Sequence, residues 1–253
     1  ILAYMGQKDA AEHSRQAWLE RPAEVKAARP ALVKVENLCA GYDGSQILDR
    51  LNLEIREGEV VALLGRNGVG KTTALRALMG VAHITSGRIT LDGRDTTSLP
   101  PHEMNHLGIS MVPEGRRLFQ NLTVMENLLL AQRAGGATVE EVFALFPKLK
   151  ILQKQKAQGL SGGERQMVAV ARALMVPSKV ILLDEPFEGL APAVVQDIMD
   201  AVVKLRERAS LVIVEHHAEL VLPITDRAYV MVNGRIAYEG TAYDLAHDIE
   251  TQE

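Results

Sequence analysis

A glycine-rich stretch between an apolar run and a helical pattern has the residue types and spacing that hold a phosphate group. Its residues are Gly65, Arg66, Asn67, Gly68, Val69, Gly70, Lys71, Thr72 and Thr73. Glycines let successive backbone N–H groups turn inward around an anion, and the dipole of the following helix favours negative charge. Lys71 can reach the β- and γ-phosphates of a nucleotide, and the Thr72 hydroxyl can bind Mg²⁺. A glycine-rich turn with an exposed lysine is the alternative, but the strand–loop–helix context favours a phosphate site.

Two acidic residues follow a second apolar run. Asp184 and Glu185 come directly after Val180–Leu183, and a carboxylate at the C-terminal edge of a parallel strand faces the crevice where ligands bind. We expect Asp184 to hold Mg²⁺, directly or through water, and Glu185 to orient an attacking water or accept its proton. Two acidic residues can also simply end a strand. Beside a phosphate loop, however, they indicate a nucleotide-binding site.

A sheet with helices on it must bring these residues together. Unbroken apolar runs at Val60–Leu64, Val180–Leu183 and Leu211–Val214 predict strands that are buried on both faces of a parallel sheet. Helical patterns follow two of the runs, at Lys71–Met79 and Ala193–Arg208. This alternation of strand and helix is typical of an α/β fold.

Three further segments complete the predicted elements. Val33–Leu38 alternates like a half-exposed strand, and Tyr229–Tyr238 reads as a hairpin that turns at Asn233 and Gly234. Residues Met125–Gln158 are rich in Leu, Ala, Glu and Lys, which favours a mainly helical insertion.

The segment Leu160–Gln166 reads Leu-Ser-Gly-Gly-Glu-Arg-Gln and resembles the signature of the ATP-binding-cassette (ABC) ATPase family, Leu-Ser-Gly-Gly-Gln. A Ser-x-x-Glu pattern is also the capping box that begins a helix, and both interpretations can hold together. The resemblance implies that the segment contacts the γ-phosphate of ATP bound by an opposite subunit, so that the working ATPase is a dimer. The residues concerned are Ser161, Gly162, Gly163 and Glu164.

The same resemblance assigns roles to three more residues. Tyr42 matches the aromatic side chain that stacks on adenine, although a tyrosine beside a strand often only packs. His216 follows a buried run and matches the switch histidine that bonds the γ-phosphate, whereas a histidine at a strand end is by default a surface or core residue. Glu114 stands where most ABC proteins have the glutamine that senses Mg²⁺ and water. The implied catalytic residues are Lys71, Glu185 and His216.

Within that family the chain is most similar to the second ATPase subunit of importers for branched-chain amino acids and for related amides or urea. The similarity is carried by Val112–Phe119, Leu122–Leu128, Ala144–Lys150 and Gly189–Pro192. One departure is Phe187-Glu188, where this subgroup usually has Ser-Leu. Because that loop crosses the dimer interface in the family, we expect a bulky ring and an added carboxylate there to weaken homodimer closure or to suit a different partner.

The resemblance implies a P-loop ABC cassette over residues 32–253, with a mainly parallel core sheet, an antiparallel β subdomain that includes a hairpin near Ser86–Gly93, and a helical subdomain at about 115–175. Residues 1–31 are a different segment, rich in alanine and charge and interrupted by proline. Ile1–Gly6 resembles the tail that ends many importer ATPase subunits. We therefore expect the segment to be either the end of a fused upstream ATPase or an extension with chance similarity. The initial Ile leads us to expect a longer or trimmed product.

Composition excludes several classes of protein. The chain has 253 residues with a net charge of −4, which argues against a primary nucleic-acid binder, and a single cysteine, which cannot form an internal disulfide. The apolar runs are far shorter than the roughly 20 residues of a membrane-spanning helix, and the start does not read as a secretory signal.

The expected partners follow from the resemblance. ATP and Mg²⁺ are the implied ligands, and the implied protein partners are a second ABC ATPase subunit, identical or different, transmembrane permease subunits and, indirectly, a solute-binding protein. This places the chain peripherally at the cytoplasmic face of the plasma membrane. The alternatives are a soluble ABC ATPase that acts on nucleic acid or ribosomes, and a cassette that binds ATP without hydrolysing it.

Overall fold

The computed structural model describes residues 30–42 and 44–247, so the hypotheses on residues 1–29 lie outside the described residues. The strands are β1 Ala31–Tyr42, β2 Ser45–Arg56, β3 Val60–Leu64, β4 His83–Leu91, β5 Arg94–Asp95, β6 Ile109–Val112, β7 Val180–Asp184, β8 Ser210–Glu215, β9 Arg227–Val232 and β10 Arg235–Thr241. The α-helices are α1 Lys71–Leu78, α2 Pro101–His106, α3 Val124–Ala131, α4 Val139–Leu145, α5 Pro147–Leu152, α6 Gly162–Leu174, α7 Pro192–Leu205, α8 Ala218–Val221 and α9 Ala242–His247. Among the described residues, every helix is too short or too polar to cross a membrane.

A six-stranded sheet with the order β10-β9-β3-β8-β7-β6 forms the centre of the molecule. Its strands pair in parallel except for the hairpin β9–β10. Alternate residues of one strand enter different hydrophobic cores: Val60 and Ala62 lie in one, Val61 and Leu63 in the other. The apolar runs are unbroken because both faces of the sheet are covered. The predicted α/β class, the parallel strands and the hairpin are therefore confirmed.

A second, antiparallel sheet with the order β2-β1-β4-β5 covers one face of the central sheet. Its apolar side chains share a core with α1 and with one face of β3. The strands are irregular: register shifts interrupt β1, and Asn37 adopts a positive φ of 48°. Cys39 is buried in β1, where its Sγ accepts the backbone N–H of Arg50.

Helices α3 to α6 pack on the other core together with α7. The segment Met125–Gln158 is mainly helical as predicted, but it is divided into short helices by the loop between α3 and α4. Capping boxes begin α3, α4 and α6, with Thr123, Thr138 and Ser161 as the N-cap residues. Each box satisfies backbone N–H groups that a helix start otherwise leaves without partners.

Candidate nucleotide-binding site

At its glycine positions, the loop after β3 adopts backbone conformations that other residues adopt only with strain. Gly65 has φ 148°, and a Cβ at this residue would lie 2.5 Å from the carbonyl oxygen of Met231. Gly68 has φ 83°, and a Cβ there would meet no other atom within 4 Å. A glycine is therefore favoured at this residue by its backbone conformation and not by close packing. The loop ends at Gly70, the N-cap of α1, which places backbone N–H groups at a helix N-terminus as the sequence predicts.

Lys71 is held inside this loop. Its side chain is 4% exposed, and Nζ donates hydrogen bonds to the backbone oxygens of Gly65 (2.8 Å) and Arg66 (3.1 Å). The same ammonium lies 3.8 Å from Oε1 of Glu185. The structure therefore brings the predicted phosphate-binding lysine and the predicted water-activating carboxylate together.

A hydrogen bond joins the loop helix to the strand that carries the acidic pair. The Thr72 hydroxyl donates to Oδ1 of Asp184 at 3.0 Å, and Asp184 is 2% exposed. Burial raises the pKa of Asp184, and the bond from Thr72 partly opposes that rise. Hydroxyl and carboxylate oxygens are the ligands that Mg²⁺ prefers, so this donor set fits the predicted ion.

A cavity of about 430 Å³ opens over these residues. Its lining includes Asn67, Gly68, Gly70, Lys71, Thr72, Thr73, Glu114, Glu185 and Glu188, together with Ile47 at the start of β2. Six predicted ligands of the phosphate loop and Glu114 thus share one cavity, whereas Gly65, Arg66, Val69 and Asp184 are not part of its described lining. Sequence reasoning did not single out Ile47, because an apolar residue in a strand carries no signal of a site.

Three carboxylates meet at the cavity. Oxygen atoms of Glu114, Glu185 and Glu188 lie within 4.8 Å of one another. Burial raises the pKa of Glu185, the nearby Lys71 lowers it, and the charge of Glu188 raises it again. A carboxyl group with a raised pKa is a stronger base than an ordinary one, which suits the role predicted for Glu185.

Phe187 lies in a different place from the one expected. The sequence interpretation put its ring at a dimer interface, but the ring is 3% exposed and packs in the core on the helical side of the sheet. Two residues earlier, Glu185 has a positive φ of 47°, and the chain turns sharply after β7. The backbone N–H of Phe187 donates to the side chain of Glu215. Only the added carboxylate, Glu188, reaches the cavity.

His216 and Tyr42 lie outside the part of the cavity lining that the structure describes. His216 follows β8, next to β7 in the sheet, and its Nδ1 is buried without a hydrogen-bond partner among the described residues. The Tyr42 hydroxyl is likewise buried and unpartnered there, and the guanidinium of Arg76 lies 5.9 Å from its ring centroid. Adenine stacking on Tyr42 and phosphate contact by His216 therefore stay predictions.

The signature segment, Leu160–Gln166, forms a capping box at the start of α6, away from the described lining of the cavity. Ser161 accepts the N–H of Glu164, and Oε2 of Glu164 accepts the N–H of Ser161 at 2.8 Å, which lowers the pKa of Glu164. Close packing explains the glycine at residue 163, since a Cβ there would lie 2.7 Å from the side chain of Val194 on α7. The segment, Gly162 included, is not part of the described lining of the cavity in its own chain.

Arg116 connects the signature helix to the loop that carries Glu185. Its Nε donates to Oε1 of Gln166 on α6 at 3.1 Å, and its Nη2 donates to the backbone oxygen of Glu188 at 3.3 Å. Arg116 has a positive φ of 66° and follows Glu114 by two residues. Arg116 thus links the segment that contains Glu114 to the loop after β7 and to α6.

Comparisons with known proteins agree with this geometry. Residues 48–188 match the protein family described as "ABC transporter". The chain is 40% identical over 224 residues to the high-affinity branched-chain amino acid transport ATP-binding protein BraG of Pseudomonas aeruginosa, covering 85% of this chain and 94% of that protein. It is 38% identical over 221 residues to the probable branched-chain amino acid transport ATP-binding protein LivF of Archaeoglobus fulgidus, with the same coverage.

A solved structure has the same fold and contains nucleotide. It is the dimeric post-hydrolysis state of an ATP-binding cassette bound to ADP and Pi, with a TM-score of 0.74, 27% identity and coverage of 83% of this chain and 98% of that one. The phosphate loop, the acidic pair after β7 and these similarities lead to one conclusion: the chain belongs to the ABC transporter family and is an ATP-hydrolysing cassette.

Proposed function

We propose that this chain is the ATPase subunit that powers an ABC importer for branched-chain amino acids or a related amino acid or amide. One observation carries the ATPase part: Lys71, Thr72 and Glu185 line one cavity at the phosphate loop, where the Thr72 hydroxyl bonds the buried Asp184 and the Lys71 ammonium lies 3.8 Å from Glu185. The proposed cargo rests on the likeness to BraG and LivF, which are described as branched-chain amino acid transport proteins.

The side chains have distinct tasks in hydrolysis. Backbone N–H groups of residues 65–70 and the Lys71 ammonium hold the β- and γ-phosphates, and Tyr42 stacks on adenine. Glu185 orients a water molecule in line with the γ-phosphorus and accepts its proton as the bond to ADP breaks. Lys71 and His216 stabilise the charge that spreads over the γ-phosphate oxygens.

Mg²⁺ fits the oxygen donors at the edge of this cavity. Thr72 and Asp184 would hold it, with Glu114 close by, and the bound ion would neutralise charge on the phosphates. Asp184 is held in place for this task by the bond from Thr72 and by burial in β7.

Two cassettes are needed for one complete site. The segment Ser161–Glu164 presents a capped helix N-terminus, which attracts anions, and it lies away from the described cavity of its own chain. We infer that it contacts the γ-phosphate held by a second cassette, identical or different, in a dimer. Residues 32–253 form this cassette, with residues 115–175 as its helical subdomain.

The dimer would act on membrane partners. We infer that transmembrane permease subunits bind beside Glu114–Asn127 and the helical subdomain, at the cytoplasmic face of the plasma membrane, and that a solute-binding protein delivers cargo to them. Nucleic acid is not among the proposed partners.

Reconstitution tests the proposal. The chain is co-expressed with candidate permease subunits, purified, and placed in proteoliposomes with a candidate solute-binding protein for branched-chain amino acids. We expect uptake of labelled leucine, isoleucine or valine that requires internal ATP and that is lost with Glu185→Gln. ATPase activity without a co-purifying membrane subunit, or activity stimulated by nucleic acid, would instead favour a soluble ABC ATPase.

A further inference from the structure

A buried carboxylate stands next to the proposed switch histidine. Glu215 is the last residue of β8, and its side chain is 1% exposed. Removing an ionised carboxylate from water is costly unless hydrogen bonds or a positive charge compensate for the loss. The contacts of this side chain therefore indicate what it does.

Glu215 joins two loops at the same edge of the central sheet. Its Oε1 accepts the backbone N–H of Phe187 at 3.2 Å, two residues after Glu185. Its Oε2 accepts the backbone N–H of His216 at 3.3 Å. Strands β7 and β8 are neighbours in the sheet, so one carboxylate fixes the chain after both of them.

The same oxygen faces the imidazole of His216. Nδ1 lies 3.7 Å from Oε2 of Glu215, and this buried nitrogen has no hydrogen-bond partner among the described residues. The nearby acidic side chain of Glu219, on helix α8, pairs with His217 instead, at 3.2 Å. A ring movement of roughly 0.5–1 Å brings Nδ1 within the usual N–H···O distance of Glu215.

We infer that Glu215 is a positioning residue that keeps a proton on Nδ1 of His216, so that Nε2 is presented to the γ-phosphate of ATP. The inference rests on the phosphate contact proposed for His216. The hydrogen bond made by one ring nitrogen fixes the orientation of the ring and the state of the other nitrogen. When Nε2 also donates to a phosphate oxygen, the ring is a cation, and the carboxylate of Glu215 stabilises its charge.

The backbone bonds of Glu215 add a second constraint. Because the carboxylate also holds the N–H of Phe187, it fixes the position of His216 relative to the turn that carries Glu185. A glutamine has the same size but has one oxygen and an NH₂ group. It therefore accepts one of the two backbone N–H groups well, and it carries no charge.

Steady-state ATPase kinetics of matched variants test the inference. Glu215→Gln is expected to lower kcat for ATP about 10- to 100-fold, the range for one lost charge-assisted contact, with KM changed less than about threefold. The control is Glu219→Gln, which removes the carboxylate beside the exposed His217, and both of its constants should stay within about twofold of the parent values. A Glu215→Gln variant that melts normally and keeps the parent kcat overturns the inference.

A double-mutant cycle separates positioning from general support of the fold. If Glu215 acts through His216, Glu215→Gln has little further effect on kcat in a His216→Gln background. The same fold loss in both backgrounds overturns the inference while leaving the role of His216 intact. Normal turnover of His216→Gln alone contradicts the role proposed for that histidine, and so removes the phosphate contact on which the inference rests.

The proton itself is observable without turnover. In the full chain labelled with ¹⁵N at its histidine rings, the signals of His216 are those absent from His216→Gln. Nδ1 should carry a proton in the parent chain and in Glu219→Gln, and the proton should move to Nε2 in Glu215→Gln. An unprotonated Nδ1 in the parent chain overturns the inference.

Discussion

The two carboxylates that follow one another at the end of β7 are held in different ways. Asp184 is buried in the strand and bonded by Thr72, whereas Glu185 adopts a positive φ that turns its side chain toward Lys71 and the cavity. A positive φ is costly for a glutamate, so the surrounding bonds must hold it. The backbone conformation thus gives these two adjacent carboxylates different environments.

The first prediction concerns Glu185. Glu185→Gln keeps the size of the side chain but cannot accept a proton, so we expect turnover to fall at least about 100-fold. Binding of ATP should remain within about threefold of the parent value, because the loop residues and Lys71 are unchanged. Phosphate release assays and equilibrium titration with ATP measure the two quantities. Undiminished hydrolysis would contradict the role of Glu185.

The second prediction separates Phe187 from Glu188. Phe187→Ala removes a ring that is 3% exposed, and it should lower the free energy of unfolding by about 3–5 kcal/mol. Glu188→Gln changes a side chain at the cavity and should alter stability by less than about 0.5 kcal/mol. Urea unfolding of both variants checks this. Equal stability of the two would place the Phe187 ring outside the core.

Helices α4 and α6 both begin with a capping box. Ser161 caps α6 and Thr138 caps α4, each in a box completed by a glutamate at the third helical position. The two caps have the same structural role, since each satisfies backbone N–H groups in the first turn of its helix. Only the cap of α6 belongs to the segment that matches the family signature. The two helices therefore offer a direct comparison of capping with nucleotide contact.

The third prediction uses that comparison. Ser161→Ala and Thr138→Ala should each lower the free energy of unfolding by about 1 kcal/mol, the usual effect of losing an N-cap hydroxyl. We expect only Ser161→Ala to reduce ATP hydrolysis strongly, because the proposed function has its hydroxyl contact the nucleotide of a second cassette. Thermal melting and ATPase assays are the measurements. A similar loss of activity in both variants would leave Ser161 with a capping role alone.

Sequence reasoning predicted elements unevenly. The core strands β3, β7 and β8 and the hairpin β9–β10 were predictable, because burial on both faces and the Asn-Gly turn leave local patterns. Strands β2 and β6 were not, because bulges disturb the alternation in the antiparallel sheet and β6 has only four residues. The hydrogen bond from Phe187 to Glu215 and the burial of the Phe187 ring depend on a strand neighbour distant in sequence, which no local pattern reports.

On the scale of the whole molecule, one arginine ties the two sheets together. Arg227 on β9 binds both carboxylate oxygens of Glu59, a carboxylate oxygen of Glu239, and the backbone oxygen of Glu54 on β2. The arginine side chain is 11% exposed and that of Glu59 is 12% exposed. The planar guanidinium suits this arrangement because its donors lie in a fixed fork. The antiparallel sheet is thereby fixed to the sheet that carries the site.

The fourth prediction concerns the contribution of Arg227 to stability. Arg227→Ala leaves Glu59 poorly solvated without its partner, and we expect a loss of about 3 kcal/mol in the free energy of unfolding. The matched control is Arg208→Ala, which breaks the exposed pair with Glu141 and should cost less than about 1 kcal/mol. Guanidinium chloride unfolding of both variants gives the comparison. Equal losses would show that the buried network adds nothing beyond a surface pair.

The alternation of core residues in the central sheet also limits how this chain can change in length. Neighbouring residues of β3, β7 and β8 enter opposite cores, and Gly65, Glu185 and His216 directly follow these strands. A one-residue deletion inside a strand would exchange its two faces and shift the loop by roughly 3.3 Å along the sheet. Exchanges of one apolar residue for another of similar volume are compatible with the fold, whereas insertions and deletions belong in the connections, such as the loop between α3 and α4.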